Sequence, residues 1–329
     1  MGSCYGKESV LTQIEQKEQK ESKVLPEIPI LTKRHVDIAR CIYDKPLKKD
    51  MAICFVYFNP IASKRLLMNY LYTIEKLKLA DIPFYTIELV YTSPEINDAF
   101  HIKGKSVYFC KENLCRLLEK KVPSKFKKLL FLDADVIFEK SNWYNTVSDL
   151  LETSDVVHPF SSAQWLDITY KNIVNERLSC LYMDRTKIYD SKLHPGFGWA
   201  FRRDWYCKVG FYDYGITGSG DTLSAAAWLG VDLTKGYVRK AHMNSYVEYR
   251  KHALPRITCA DGTIYHLWHG SIKNRKYNDR HNILINVGDI SKLLIPNQDG
   301  FLEITNEALQ KKFFEYFKGR DDDGFDNEL

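Results

Sequence analysis

Lys127-Lys128-Leu129-Leu130-Phe131-Leu132-Asp133-Ala134-Asp135 is the stretch that decides the fold. Residues 129–132 are apolar without interruption, the pattern of a strand covered on both faces rather than on one. An Asp-x-Asp follows at once, and Val136, Ile137 and Phe138 resume the apolar run. Two carboxylates one residue apart beyond a strand end can hold a hard divalent cation that keeps several waters and takes phosphate oxygens as further ligands. Taken alone the triplet is common and equally marks a solvated turn. Its place directly after a buried strand is what gives it weight.

Working outward, residues 51–58 form a second continuous apolar run. Leu66, Leu67, Tyr70, Leu71, Ile74 and Leu77 then recur at helical spacing between Pro60 and Pro83. Residues 84–90 read as a strand, 106–109 as a short third one, and 113–120 as a helix with Leu114, Leu117 and Leu118 on one stripe. This alternation implies an α/β fold with a mostly parallel central sheet and helices on both faces. Ligands on such sheets bind beyond the carboxyl ends of the strands, where Asp133 and Asp135 stand.

The 329 residues are 45% hydrophobic and 27% charged, enough apolar material for a substantial core. A net charge of +5 is too mild to make nucleic acid a partner. The longest apolar run, 51–58, falls far short of the roughly 20 residues a membrane-spanning helix needs. No secretory signal pattern opens the chain, and Gly6 stands where a myristoylation motif would have Ser or Thr. Eight scattered cysteines without a Cys-x-x-Cys pair imply reduced thiols and a cytoplasmic location. Residues 1–45 read as a polar, partly disordered tail, with folding expected from about Met51. Residues 46–300 make a catalytic domain. Residues 301–329 add a helix packed through Leu309, Phe313 and Phe317, then an acidic tail in which 320–323 is expected to be solvated.

The chain resembles the nucleotide-sugar-dependent glycosyltransferases of the GT-A fold. The likeness runs in order over residues 51–286: the strand and Asp133-Ala134-Asp135, then His194-Pro195-Gly196-Phe197-Gly198-Trp199, then Gly218-Ser219-Gly220-Asp221, then His266-Leu267-Trp268-His269. It is similar above all to poorly characterised members from large DNA viruses and microbes. The resemblance implies a Rossmann-like GT-A domain that moves a sugar from a nucleoside-diphosphate sugar, most often a uridine diphosphate sugar, to a glycan or glycoconjugate acceptor. The implied cofactor is a divalent cation, Mn2+ or Mg2+, held by Asp133, Asp135 and His269, with His266 a structural histidine. Asp221 is implied as catalytic base if the reaction inverts. Tyr57, Asn59, Lys111, Asp133, Gly196, Gly198, Trp199, Lys273 and Arg275 are implied around the donor. One departure stands out, because Gly220 occupies a position where many members carry a glutamate, so a carboxylate that would grip the acceptor is missing.

Each of these residues also has a plainer role. Asp221 precedes a good helix, 222–229, and could serve as its N-cap. Trp199 fits a core, Gly196 and Gly198 fit a turn, Lys111 fits a solvated helix end, and His158 fits a buried strand end. Two rival functions are a sugar nucleotidyltransferase, which should carry a glycine-rich loop after the first strand, and a non-catalytic carbohydrate-binding protein. Residues 58–65 lack such a loop. Asp133, Asp135, Asp221 and His269 together speak against the second.

Overall fold

The computed structural model describes residues 34–182, 192–252, 254–271, 273–276 and 279–324. Residues 1–33, most of the expected tail, lie outside that set, as do the last five residues. In chain order the elements are β1 (Met51–Phe58), α1 (Lys64–Leu79), β2 (Phe84–Val90), β3 (Phe100–Lys103), α2 (Lys111–Glu119), β4 (Lys128–Leu132), β5 (Val136–Phe138) and α3 (Trp143–Thr153). There follow β6 (Val156–His158), β7 (Ser162–Leu166), β8 (Ile173–Ser179), β9 (Leu193–His194), β10 (Gly198–Arg202), α4 (Arg203–Lys208), α5 (Gly220–Trp228) and α6 (Met243–Tyr249). The chain closes with β11 (Ile257–Cys259), β12 (Thr263–His266), β13 (Leu294–Pro296), β14 (Leu302–Ile304) and α7 (Glu307–Lys318).

Seven strands form the central sheet in the order β11-β6-β10-β4-β1-β2-β3. β4, β1, β2 and β3 are mutually parallel, whereas β10 runs against both β4 and β6. The mixed α/β class and the mostly parallel sheet therefore agree with the sequence pattern. Alternation along β1 and β4 explains the uninterrupted apolar runs. Ala52, Cys54, Leu129 and Phe131 enter one core with α2, α5 and α7, while Ile53, Phe55, Leu130 and Leu132 enter the other with α1 and α3. Helices cover both faces, and each apolar side chain has a layer to fill.

β1, β2 and β4 occupy the spans expected of them, but the third strand is displaced. It is Phe100–Lys103, with only Ile102 buried, so its sequence carries one inward apolar residue. Residues 106–109 are apolar for another reason. Tyr108 is buried, donates its hydroxyl to Leu302 O at 2.6 Å and stacks on Phe301, tying this segment to the β13–β14 hairpin. Packing also begins before Met51. Ile38, Cys41 and Tyr43 are buried, and Tyr43 accepts from Phe138 N at 3.0 Å.

Smaller sheets complete the molecule. Five strands, β5-β12-β7-β8-β9, form the second. Among the described residues the cysteines are free thiols, and only Cys207 is exposed. No described helix is long and apolar enough to cross a membrane.

Candidate active site

β4 ends at Leu132 against Gly198 of β10, and Asp133 N donates to Phe197 O at 2.7 Å, which fixes where the first carboxylate leaves the sheet. The apolar run that follows Asp135 becomes β5, and β5 pairs antiparallel with β12 so that Val136 faces His266. Leu267 N donates to Asp135 O at 2.8 Å. One short ladder thus carries a distant histidine to the Asp-x-Asp.

Asp135, His266 and His269 each offer a ligand atom, all within 4.8 Å of one another, and all three are buried. His269 Nε2 lies 3.2 Å and His266 Nε2 3.4 Å from Asp135 Oδ2. Asp135 Oδ1, His266 Nδ1 and His269 Nδ1 are buried without a hydrogen-bond partner. Burial works against charge on Asp135, yet His266, then His269 and Arg275, hold its carboxyl well below the usual range. Burial, then Arg275, keeps His269 neutral by pulling it far below an ordinary imidazole. An ionised carboxylate, two imidazoles and unsatisfied polar atoms fit a divalent cation. The cluster contains Asp135 and His269 of the expected set together with His266, and Asp133 is not one of its three members.

Asp133 goes elsewhere. Its carboxylate accepts from Lys111 Nζ at the start of α2. Burial pushes the Asp133 carboxyl up against the pull of Lys111, with Asp135 and Asp221 adding to the rise. Burial opposes the Lys111 charge, but Asp133, Asp221 and Glu112 more than offset it and hold the ammonium above the usual lysine range. Lys111 is therefore a half-buried cation paired with Asp133 in the site.

A cavity of about 530 Å3 opens over these groups at the carboxyl ends of β1 and β4. Tyr57, Lys111, Asp133, Gly196, Asp221 and Arg275 line it, as do Asp135, His266 and His269. Other expected donor residues do not. Asn59 is buried in the turn after β1, where its Nδ2 donates to Ser63 O and Glu95 Oε2. Gly198 serves sheet closeness, since a Cβ there would meet Leu132 Cδ1 at 2.9 Å. Trp199 is 1% exposed, donates to Pro195 O and stacks on His158, itself a buried core histidine bonded to Ser179. Lys273 is exposed and outside the cavity wall.

Asp221 is not the N-cap of α5; Ser219 is, at φ +73°. Asp221 lies in the first turn, where Oδ1 accepts from Thr222 N at 2.7 Å. Its Oδ2 lies 2.7 Å from where a Cβ of residue 196 would stand, so Gly196 leaves room for this carboxylate. Beside it, Glu112 is buried, and burial followed by Asp221 pushes it up to about 8. The sequence alone assigns no role to Glu112, Arg280, Trp165, Arg177 or His194, the last standing only as the start of the glycine loop, and all five line the cavity. Adjacency to Lys111 was the only hint for Glu112, and the others carry no spacing signal.

No family model matches the chain, and no curated protein does. Several solved structures are similar to it. The catalytic domain of Drosophila β1,4-galactosyltransferase 7, in complex with xylobiose, has 9% identity over 80% of this chain and 98% of its own, with a TM-score of 0.41. Glucosyl-3-phosphoglycerate synthase from Mycobacterium tuberculosis, solved with Mn2+, UDP and phosphoglyceric acid, has 13% identity over 78% and 86%, at 0.38. A nucleotide-diphospho-sugar transferase structure from Desulfovibrio desulfuricans G20 has 11% identity over 83% and 99%, at 0.34.

Proposed function

We propose that this chain is a metal-dependent glycosyltransferase that moves a sugar from a nucleoside-diphosphate sugar, a uridine diphosphate sugar in the first instance, to an acceptor hydroxyl with inversion. The observation that carries this reading is the convergence of Asp135, His266 and His269 in one cavity with Asp221 and the cation Lys111. Those three residues would hold the divalent cation, which when bound neutralises charge on a diphosphate. Two imidazoles and one carboxylate suit manganese better than magnesium, which favours an all-oxygen shell.

The remaining work falls to the chain's own groups. Lys111 and Arg275 supply fixed positive charge to the same cavity and favour a departing diphosphate over a neutral leaving group. Tyr57, at the end of β1, and Asp133 border the space available to the nucleoside. Asp221 takes the proton of the acceptor hydroxyl as that oxygen bonds to the anomeric carbon. The carbon–oxygen bond to the diphosphate breaks in the same step, and its electron pair leaves with the nucleotide.

A panel of nucleoside-diphosphate sugars incubated with manganese tests the reading. Donor hydrolysis or transfer is expected with at least one donor, lost in excess chelator and in Asp135→Ala and His266→Ala. Asp221→Asn should bind nucleotide and metal normally by calorimetry while transfer falls by roughly 10²- to 10⁴-fold. Full turnover in excess chelator overturns the metal assignment. Near-normal transfer by the Asn variant removes Asp221 as base.

A further inference from the structure

Gly220 and Gly196 are both bare for the same reason. Neither has a φ in the left-handed region, so backbone freedom does not require glycine at either place. A Cβ at 220 would lie 2.5 Å from Glu112 Oε1 and 2.8 Å from Glu112 Cγ, and closer still to the carboxyl carbon. A Cβ at 196 would lie 2.7 Å from Asp221 Oδ2. Two glycines on separate segments thus clear the space that two carboxyl groups fill. Both carboxyl groups line the cavity, one from the first turn of α2 and one from the first turn of α5. The side chain that residue 220 lacks is supplied in space by Glu112.

We propose that Glu112 and Asp221 together hold two neighbouring hydroxyls of a sugar acceptor, Glu112 gripping the one that does not react. This rests on the transferase reading. A diol presents two donors and two acceptors a few ångströms apart, and paired carboxyl groups match it where a lone alcohol would leave one of them unpaired. Glu112 belongs to the acceptor and not the diphosphate because its neighbour is the base, whereas the metal cluster gathers around Asp135. Burial also favours a proton on Glu112, and a protonated carboxyl can donate as well as accept. Asp221 is then left as the group that removes the reacting proton. The acceptor class that follows is the hydroxyl-bearing end of a glycan, in preference to a serine, threonine or lipid alcohol.

The test uses the full chain with manganese, a donor found active in the panel, and methyl glycosides as acceptors, each paired with its analogue lacking the hydroxyl next to the reacting one. Glu112→Ala should raise acceptor KM by at least tenfold with donor KM unchanged. The deoxy analogue should be tenfold or more worse than its parent in wild type, and no worse in Glu112→Ala, because the partner has already gone. Glu112→Ala combined with Gly220→Asp should regain acceptor affinity, since an Asp there places its carboxyl about 1.5 Å beyond the Cβ position. That rescue separates a binding role from mere support of α2. Unchanged acceptor KM in Glu112→Ala, or a rise confined to donor KM, overturns the inference while leaving the transferase reading intact. Wild-type protein that processes no donor overturns both.

Discussion

At the scale of single residues the most informative group is Glu112, which carries a proton where a surface glutamate would not. Burial, then the Asp221 carboxyl, lift it from an ordinary 4.5 to about 8. In the unfolded chain the same group ionises near its ordinary value. Between those limits the folded state holds a proton that the unfolded state has released, so the stability it contributes is complete below about pH 4.5 and is lost as pH rises through about 8. A glutamine at 112 has no proton to lose. Wild type should therefore be at its best relative to Glu112→Gln in mild acid and fall steadily behind it towards the alkaline end of that window, as read by urea titration of both chains. A difference that stays flat with pH would refute a buried, protonated Glu112. Asp133, Asp135, Asp221 and Lys111 were legible in the sequence because they stand directly beside strand or helix signals. Glu112 was not, and His266 stood only as a structural histidine beside His269, because each owes its place to a meeting of distant segments: α2 with α5, and β5 with β12.

At the scale of elements the question is what holds α2 still, since its first turn delivers both Lys111 and Glu112. Its other end is clamped by Arg203. The guanidinium donates from Nε to Glu119 Oε1 at 2.7 Å, from Nη2 to Glu119 O and Val122 O, and from Nη1 to Pro123 O and Phe126 O. These carbonyls belong to the end of α2 and the turn after it, where a helix leaves acceptors without partners. Lysine retains the charge but cannot serve five acceptors from one point. Arg203→Lys should lower stability by about 2 kcal/mol, seen as a lower melting temperature, because several half-buried carbonyls lose their donor. An unchanged melting temperature would mean that water replaces the guanidinium without loss. Periodicity located α2 well because Leu114, Leu117 and Leu118 share one stripe. It failed on β3, where Ile102 is the single inward side chain and residues 106–109 looked more strand-like for packing against β13 and β14. Local pattern reports that a segment is buried before it reports what the segment is buried against.

At the scale of the whole molecule the end of the chain closes a wall of the cavity. Residues 320–323 read from composition as solvated, yet Arg320 and Asp322 form a buried ion pair at 2.8 Å and both line the cavity. Arg320 also lies 5.6 Å from the ring centre of Phe109 and 5.4 Å from that of Phe317. Asp323 then crosses to α1, where its carboxylate accepts from Ser63 Oγ at 2.7 Å, Arg65 N at 2.8 Å and Lys64 N at 2.9 Å. A carboxylate at a helix N-terminus satisfies orphan N–H groups and meets the positive end of the helix dipole. Composition could not disclose this, since an acidic run looks solvated until a helix end is brought to it. Asp323 itself lies outside the cavity wall, so its effect on the site must pass through Arg320 and Asp322. Asp323→Ala should therefore do two things at once. Stability should fall by about 1 kcal/mol for the lost cap. Affinity for uridine diphosphate with manganese should fall about three- to tenfold, because the unanchored segment no longer fixes Arg320 at the cavity wall. Melting curves and calorimetry on the same preparation separate the two effects. Lower stability with unchanged nucleotide affinity would show that the segment staples α1 without shaping the site.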